Sequence, residues 1–290
     1  MLKRAVFILK KENAAQEMQA LINELKAHHV EAHQIEVIDR DDVTVEDRLQ
    51  KCLSEKPEGT LYITDCAFCQ KKLHAEKLPV IVYLYQENRE EDFSHAEYAI
   101  ENLNEIEYKS LELAYLRLTG QPWTITETKR CLIRETIPED VDSFYKIYKE
   151  SSITEYMEDL YADREEEIAY IRDYIKNVYR FYGYGMWTVI EKENGEIIGR
   201  AGISLRDGCD IPELGFVIGV PWQRQGYAYE VCQAVLAYGR KELEFQQFQA
   251  LIMKGNEKSK RLCEKLGFAF WADVEIDGIV HERMGVCYEG

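Results

Sequence analysis

The passage that most constrains the fold of this 290-residue chain is Leu214-Gly215-Phe216-Val217-Ile218-Gly219-Val220-Pro221-Trp222-Gln223-Arg224-Gln225-Gly226-Tyr227-Ala228-Tyr229-Glu230-Val231. An apolar strand runs into a proline, which cannot donate to a ladder, and a short polar loop then enters a helix predicted over Tyr227–Glu242. Gly226 and Ala228 keep bulk away from the helix start. The first-turn N–H groups therefore stay open, and the helix dipole adds partial positive charge to them. Arg224 adds a full charge. Such a strand-to-helix junction is a seat for a phosphate or pyrophosphate, and it places the chain among layered α/β folds.

That cation is conspicuous because the chain is acidic, with 36 Lys+Arg against 53 Asp+Glu and a net charge of −17. Neither half is basic, so broad binding to nucleic acid is not expected, whereas a cationic substrate suits the field. No apolar run reaches the ~20 residues needed to cross a bilayer, so no membrane partner is expected. The opening Met1–Leu9 meets Lys10-Lys11 too soon for a secretory signal and reads as a first strand. Eight cysteines lie scattered in apolar stretches, as expected of reduced thiols in a cytoplasmic protein. Cys66-Ala67-Phe68-Cys69 is a lone CxxC without the second pair a zinc site needs. A structural role suits it best, metal or redox use staying open, and no metal is expected elsewhere.

The first half alternates strand and helix patterns. Strands are predicted at Ala5–Leu9, Gln34–Ile38, Thr60–Thr64 and Pro79–Leu84. Helices are predicted around Met18–Leu25, over Val45–Leu53, Ala67–Ala75 and Glu105–Leu118, with Ala96–Ile100 before the last. This rhythm implies a Rossmann-like parallel sheet covered on both faces. Asp65, at the carboxyl end of a strand, is either a cap for the next helix or a metal ligand. Leu61-Tyr62-Ile63-Thr64-Asp65 followed by Leu78-Pro79-Val80-Ile81 resembles the late segment of haloacid-dehalogenase-like folds. That family's nucleophile is the first Asp of a DxD ending the first strand, and here the strand ends Leu9-Lys10-Lys11. This half is expected to be degenerate and catalytically silent.

Thr119-Gly120-Gln121-Pro122 breaks the rhythm. The predicted organisation is a first domain over 1–122, a linker over 123–129 and a second domain over 130–290. In the second, strands are predicted at Cys131–Glu135, Trp187–Ile190, Ile197–Ser204, Ile211–Gly219, Phe248–Met253, Phe268–Ile276 and Val280–Cys287. A helix opens at Ile137-Pro138-Glu139-Asp140, with others over Arg164–Tyr182 and Glu257–Lys265.

Gln223-x-x-Gly226-x-Ala228 after this strand resembles the Gln/Arg-x-x-Gly-x-Gly/Ala signature of GCN5-related N-acetyltransferases (GNATs). Asn256-Glu257-Lys258-Ser259 and Leu262-Cys263-Glu264-Lys265-Leu266-Gly267-Phe268 resemble that family's second cofactor segment. The likeness spans about residues 130–288 and is nearest the branch of ribosomal-protein N-terminal acetyltransferases. It implies a mixed α/β domain whose fourth and fifth strands splay apart around acetyl-CoA. The pantetheine would meet Ile218, Gly219 and Val220, with the pyrophosphate on Gln223, Arg224, Gln225, Gly226, Tyr227, Ala228 and Tyr229. Asn256 and Ser259 would line the same cofactor.

The implied chemistry is direct attack of a neutral primary amine on the thioester in a ternary complex. Glu213, on the strand leading to the cofactor loop, is either the base acting through water or a plain edge acid. Many relatives carry a Tyr seven residues after the Asn as proton donor to the thiolate; here that place is Cys263, which leaves Ser259 or solvent. The acceptor, a small amine or a peptide N-terminus, would enter past Glu155, Tyr156, Glu158, Asp159, Tyr161, Asp163 and Glu165, unless these form an ordinary solvated face; Asp277 and His281 would line the same mouth or decorate a hairpin. The alternative is an acetyl-CoA-binding sensor or scaffold without turnover. A homodimer is compatible with either.

Overall fold

The computed structural model describes residues 1–10, 14–36, 49, 50, 54, 57–206 and 208–288. The chain divides into two compact units, Met1–Gln121 and Pro122–Gly290.

The first unit is built on five parallel strands: β1 (Arg4–Leu9), β2 (Glu31–Glu36), β3 (Thr60–Thr64), β4 (Val80–Tyr83) and β5 (Ala99–Ile100), in the order β2-β1-β3-β4-β5. Parallel strands need crossovers: α1 (Ala14–Ala27) links β1 to β2 and α2 (Ala67–Ala75) links β3 to β4, while α3 (Tyr108–Leu118) follows β5 and packs on the sheet. Met18, Leu21 and Leu25 of α1 join Leu111, Ala114 and Tyr115 of α3 against Phe7, Leu61, Ile63 and Ile81. The opposite face packs Cys69 and Leu73 of α2, with Leu49, against Val6, Ile8, Tyr62 and Val80. The second strand starts three residues before its apolar pattern, and the end of that pattern, residues 37 and 38, and most of the helix predicted over 45–53 lie outside the described residues.

In this strand order a ligand crevice opens beyond the carboxyl ends of β1 and β3. Here the crest is filled by the unit's own side chains. Both carboxylate oxygens of buried Asp65 accept from the Lys10 N–H, at 2.9 and 3.0 Å, and the Tyr85 hydroxyl donates to the same carboxylate at 3.0 Å. Glu91 bridges the Lys10 ammonium at 2.8 Å and the Ala67 N–H at 3.2 Å, so it occupies the start of α2. Asp65 is thus not the helix cap that was one of the two readings of the sequence. Cys66 is the N-cap of α2, without a side-chain cap bond, and Asp65 tethers β1 to β3 instead.

The second unit holds an eight-stranded sheet in the order β12-β13-β11-β10-β9-β8-β7-β6. Its strands are β6 (Thr124–Glu127), β7 (Cys131–Arg134), β8 (Met186–Glu191), β9 (Ile197–Ser204), β10 (Glu213–Ile218), β11 (Gln247–Met253), β12 (Ala269–Ile276) and β13 (Ile279–Cys287). All neighbours are antiparallel except β10 and β11. The stretch 123–129 is not a linker: its Thr-Ile-Thr run pairs with β7, Ile125 is buried, and Trp123 packs on the same core. Polar composition hid a strand that needs only one buried side chain.

Helix α7 (Tyr227–Lys241) covers one face, with Val231, Cys232, Val235 and Leu236 buried against Trp187, Ile198, Ala201 and Phe248. The other face carries α4 (Val141–Tyr148), the short α5 (Ser151–Thr154) and α6 (Arg164–Tyr174), where Phe144, Ile147, Tyr148, Ile168 and Ile171 meet Val217. Helix α8 (Glu257–Lys265) follows β11. The helical run from α6 continues to Tyr182 through a π turn at Ile175–Tyr179. That turn brings two tyrosines to one strand end: Tyr174 accepts the Met186 N–H at 2.9 Å, and Tyr179 donates to the Met186 carbonyl.

Candidate active site

The site begins where the sheet fails. β10 and β11 share one register pair, Glu213↔Gln249, and then diverge. Proline and glycine account for the end of the strand: Gly219, Val220, Pro221 and Trp222 turn in a short 3₁₀ segment, with the Trp222 N–H on the Gly219 carbonyl at 2.9 Å. Gln223 reaches back, its side-chain amide donating to the Ile218 carbonyl at 2.9 Å. A groove of about 440 Å³ opens beside this turn, lined in part by Lys146, Ile147, Glu196 and Trp222.

Two left-handed residues then aim the chain into α7: Arg224 at φ 61° and Gly226 at φ 85°. Among the described residues, the N–H groups of 224 to 229 donate to no protein acceptor. Six successive amides at a helix start form a concave donor surface for an anion. Arg224 and Gln225 are exposed beside it. Tyr227 and Ala228 contribute backbone only. The Tyr227 ring is buried with its hydroxyl on Glu191, and Ala228 packs on the core.

Arg130 holds the back of this loop. Its Nε donates to Glu230 at 2.7 Å, its Nη1 to the Gln225 carbonyl at 3.0 Å, and its guanidinium stacks 3.9 Å from the Tyr227 ring centre. A Cβ added to Gly226 would lie 3.5 Å from Nη2, so the guanidinium abuts the amide row. Sequence reasoning passed over Arg130, because its partner lies 100 residues away.

Across the splay, Asn256 is the N-cap of α8, its Oδ1 accepting the Ser259 N–H at 3.2 Å. Asn256 and Ser259 therefore form one structural cap at the β11–α8 turn, both half-buried. A Cβ on Gly255 would sit 3.8 Å from the Tyr156 ring, which brings the segment after α5 to that turn. Cys263, in the usual donor's position, faces inward. It is fully buried, and burial, with a smaller push from Glu264, raises its thiol to about 12. Lys265 stands 4.2 Å over the Tyr229 ring.

Glu213 lies at the mouth of the splay, half-buried, its carboxylate 3.3 Å from the Arg206 Nε. Of the predicted acidic mouth, Asp163 is engaged as the N-cap of α6, accepting from the N–H groups of Glu165 and Glu166. Glu165 pairs with Arg164 at 3.3 Å. Glu155, Glu158 and Asp159 remain on the exposed segment. Asp277 forms the β12–β13 turn at φ 50°, and the His281 ring lies 3.0 Å from the Ile279 carbonyl, a hairpin contact. Among the described residues no three metal-ligating side chains converge, and no helix is long and apolar enough to cross a membrane.

Residues 130–269 match the model of the acetyltransferase (GNAT) domain. This segment is a GNAT acetyltransferase domain. YoaA of Bacillus subtilis, an uncharacterized N-acetyltransferase, is 27% identical over 147 residues, covering 50% of this chain and 82% of that protein. The uncharacterized protein YkkB of Bacillus subtilis is 34% identical over 91 residues, covering 31% of this chain and about half (53%) of YkkB. Among solved structures, one described as a candidate ribosomal-protein-serine acetyltransferase of Vibrio cholerae aligns at 17% identity with a TM-score of 0.50. It covers 57% of this chain and 97% of that one, and at that identity the match concerns the fold. The mixed sheet, open between β10 and β11, agrees with the architecture that the family resemblance implies.

Proposed function

We propose that the chain is an N-acetyltransferase that moves acetyl from acetyl-CoA to a primary amine by direct attack within a ternary complex. The observation that carries this reading is the splay beyond Glu213↔Gln249 ending at six open amides. Unpaired backbone in a strand calls for a ligand with amides of its own, and pantetheine is one. Ile218, Gly219 and Val220 would take the pantetheine; the amides of 224 to 229, with Arg224 beside them, would take the pyrophosphate. Asn256 and Ser259 would close the opposite side.

Glu213 would draw the proton from the ammonium through water, once the incoming cation has displaced Arg206. The amine lone pair then attacks the thioester carbonyl, the carbon–sulfur bond breaks, and the thiolate takes a proton from Ser259 or solvent, since the Cys263 thiol is sealed in the core. That sealing favours a second reading, an acetyl-CoA-binding module with slow or no turnover. The first unit, with its crest filled by Asp65, Lys10, Tyr85 and Glu91, would act as a non-catalytic partner domain.

Calorimetric titration of acetyl-CoA, repeated with Arg224→Glu, tests the site. Micromolar binding weakened by the charge reversal supports it, and absence of binding to the folded protein overturns it. Thiol release with an amine panel, compared with Glu213→Gln, separates turnover from mere binding.

A further inference from the structure

Helix α8 is basic in a protein that is not. Its nine residues, Glu257–Lys265, hold Lys258, Lys260, Arg261 and Lys265 against only Glu257 and Glu264, while the whole chain carries −17. Packing explains the inner side of the helix: Cys263 is buried, and Leu262 and Leu266 lie against the same core. Lys260 is engaged with Glu282 at 2.9 Å, as Lys254 before the helix is with Asp273 at 2.8 Å. Among the described residues, no carboxylate pairs with Lys258, Arg261 or Lys265. These three are exposed and spaced i, i+3 and i+7, so they form one stripe. Like charges a turn apart repel, and Lys258 stands in the first turn, where a cation opposes the helix dipole. The stripe does little for the helix that carries it, which leaves a ligand as its counter-charge.

The stripe ends at the cofactor loop. The Lys265 ammonium lies 4.2 Å over the ring centre of Tyr229, a cation–π contact between the last turn of α8 and the first turn of α7. The Tyr229 hydroxyl accepts from the Gln233 side-chain amide at 2.9 Å, which fixes the ring beneath the ammonium. Tyr229 is also the last residue of the open amide row. One residue thus joins backbone donors to a held positive charge, and Arg261 stands one helical turn from Lys265. A pyrophosphate on the amides would account for the row and leave the stripe unused. In acetyl-CoA the next anion is the 3′-phosphate, one ribose beyond the pyrophosphate and carrying roughly two negative charges at neutral pH.

We propose that Lys265, with Arg261 beside it, binds the 3′-phosphate of acetyl-CoA, and that Tyr229 holds the ammonium in place for it. This rests on the cofactor reading above and names what selects the donor. The donor is a free CoA thioester: dephospho-CoA and phosphopantetheine carried on a protein lack the group that the stripe recognises. The same cations offset the repulsion that a chain of this net charge exerts on a ligand with several negative charges.

The test is calorimetric titration of the full chain with acetyl-CoA and with acetyl-3′-dephospho-CoA. It is made on wild type, Lys265→Gln, Arg261→Gln and Lys241→Gln, the last an exposed lysine at the far end of α7. Wild type should prefer acetyl-CoA by ~10-fold, the lower end for hydrogen bonds to a charged group because the site is exposed, and the preference should shrink at high salt. Lys265→Gln should bring the two affinities close together by weakening acetyl-CoA alone, Arg261→Gln should do so in part, and Lys241→Gln should change neither. If Lys265→Gln does not fold, the wild-type preference and Arg261→Gln decide. Equal affinity of the wild type for both thioesters overturns the assignment. So does a Lys265→Gln protein that loses both alike, or a loss in Lys241→Gln as large as in Lys265→Gln. Each of these leaves the pyrophosphate seat standing. Binding of neither thioester by the wild type overturns the cofactor reading itself.

Discussion

Replacing Arg130 by Gln probes the loop without touching the amides themselves. The substitution removes the Nε contact to Glu230, the bond to the Gln225 carbonyl and the stack on Tyr227. The ion pair is partly exposed and is worth ~0.5 kcal/mol, the cation–π contact ~0.5–1, and the charged hydrogen bond ~1. The total is about 2 kcal/mol, which for a unit of this size lowers Tm by roughly 4–8 °C. A second effect concerns the ligand. Glu230 stands in the first turn of α7, and without Arg130 its carboxylate faces the amide row unopposed. One unit charge within a turn of an anion site, at intermediate dielectric, is worth about 1 kcal/mol, so acetyl-CoA should bind ~5-fold more weakly. Adding Glu230→Gln should restore most of the affinity but none of the thermal stability. Differential scanning fluorimetry and calorimetry on the three proteins separate the two effects. An Arg130→Gln protein with lowered Tm and unchanged affinity would refute the electrostatic part of this reasoning, and so would a double variant no better than the single.

Glu213→Gln should lower kcat by ~100-fold or more while leaving acetyl-CoA affinity within a factor of two or so, read by thiol release and calorimetry. Gly239→Ala puts a methyl group 2.6 Å from the Ile203 Cδ1 and 2.8 Å from the Phe248 Cζ. Better helix propensity gives back ~1 kcal/mol, overpacking costs ~1–3, and urea melts should show net destabilisation. Burial pushes the Glu230 carboxyl up, but bonds from Thr128 and from the Arg130 N–H and guanidinium outweigh it and hold the group below its usual 4.5. A depressed folded-state value means the contribution is complete above the ordinary carboxylate range and fades as pH falls through it. The stability gap between wild type and Glu230→Gln should therefore close on acidification below about pH 4, and a gap that widens there would count against the clamp.

What could be read from the chain, and what could not, divides by range. Where the cause lies within a few residues, the pattern was sufficient: Thr60–Thr64 and Ala67–Ala75 have the bounds their apolar runs imply, and Pro221 with Gly226 announces the turn into α7. Where the cause is pairing between distant segments, the pattern was silent or misleading. Thr124–Glu127 reads as polar linker because its hydrogen bonds go to β7, and Arg130 is passed over because Glu230 is 100 positions away. Asp65 reads as a cap because nothing nearby reveals that Lys10 will present its N–H to it. Backbone seats for a common cofactor can be built from local turn chemistry. A pocket that chooses among acceptors needs side chains gathered from separate strands, so its logic is written in the pairing of the sheet.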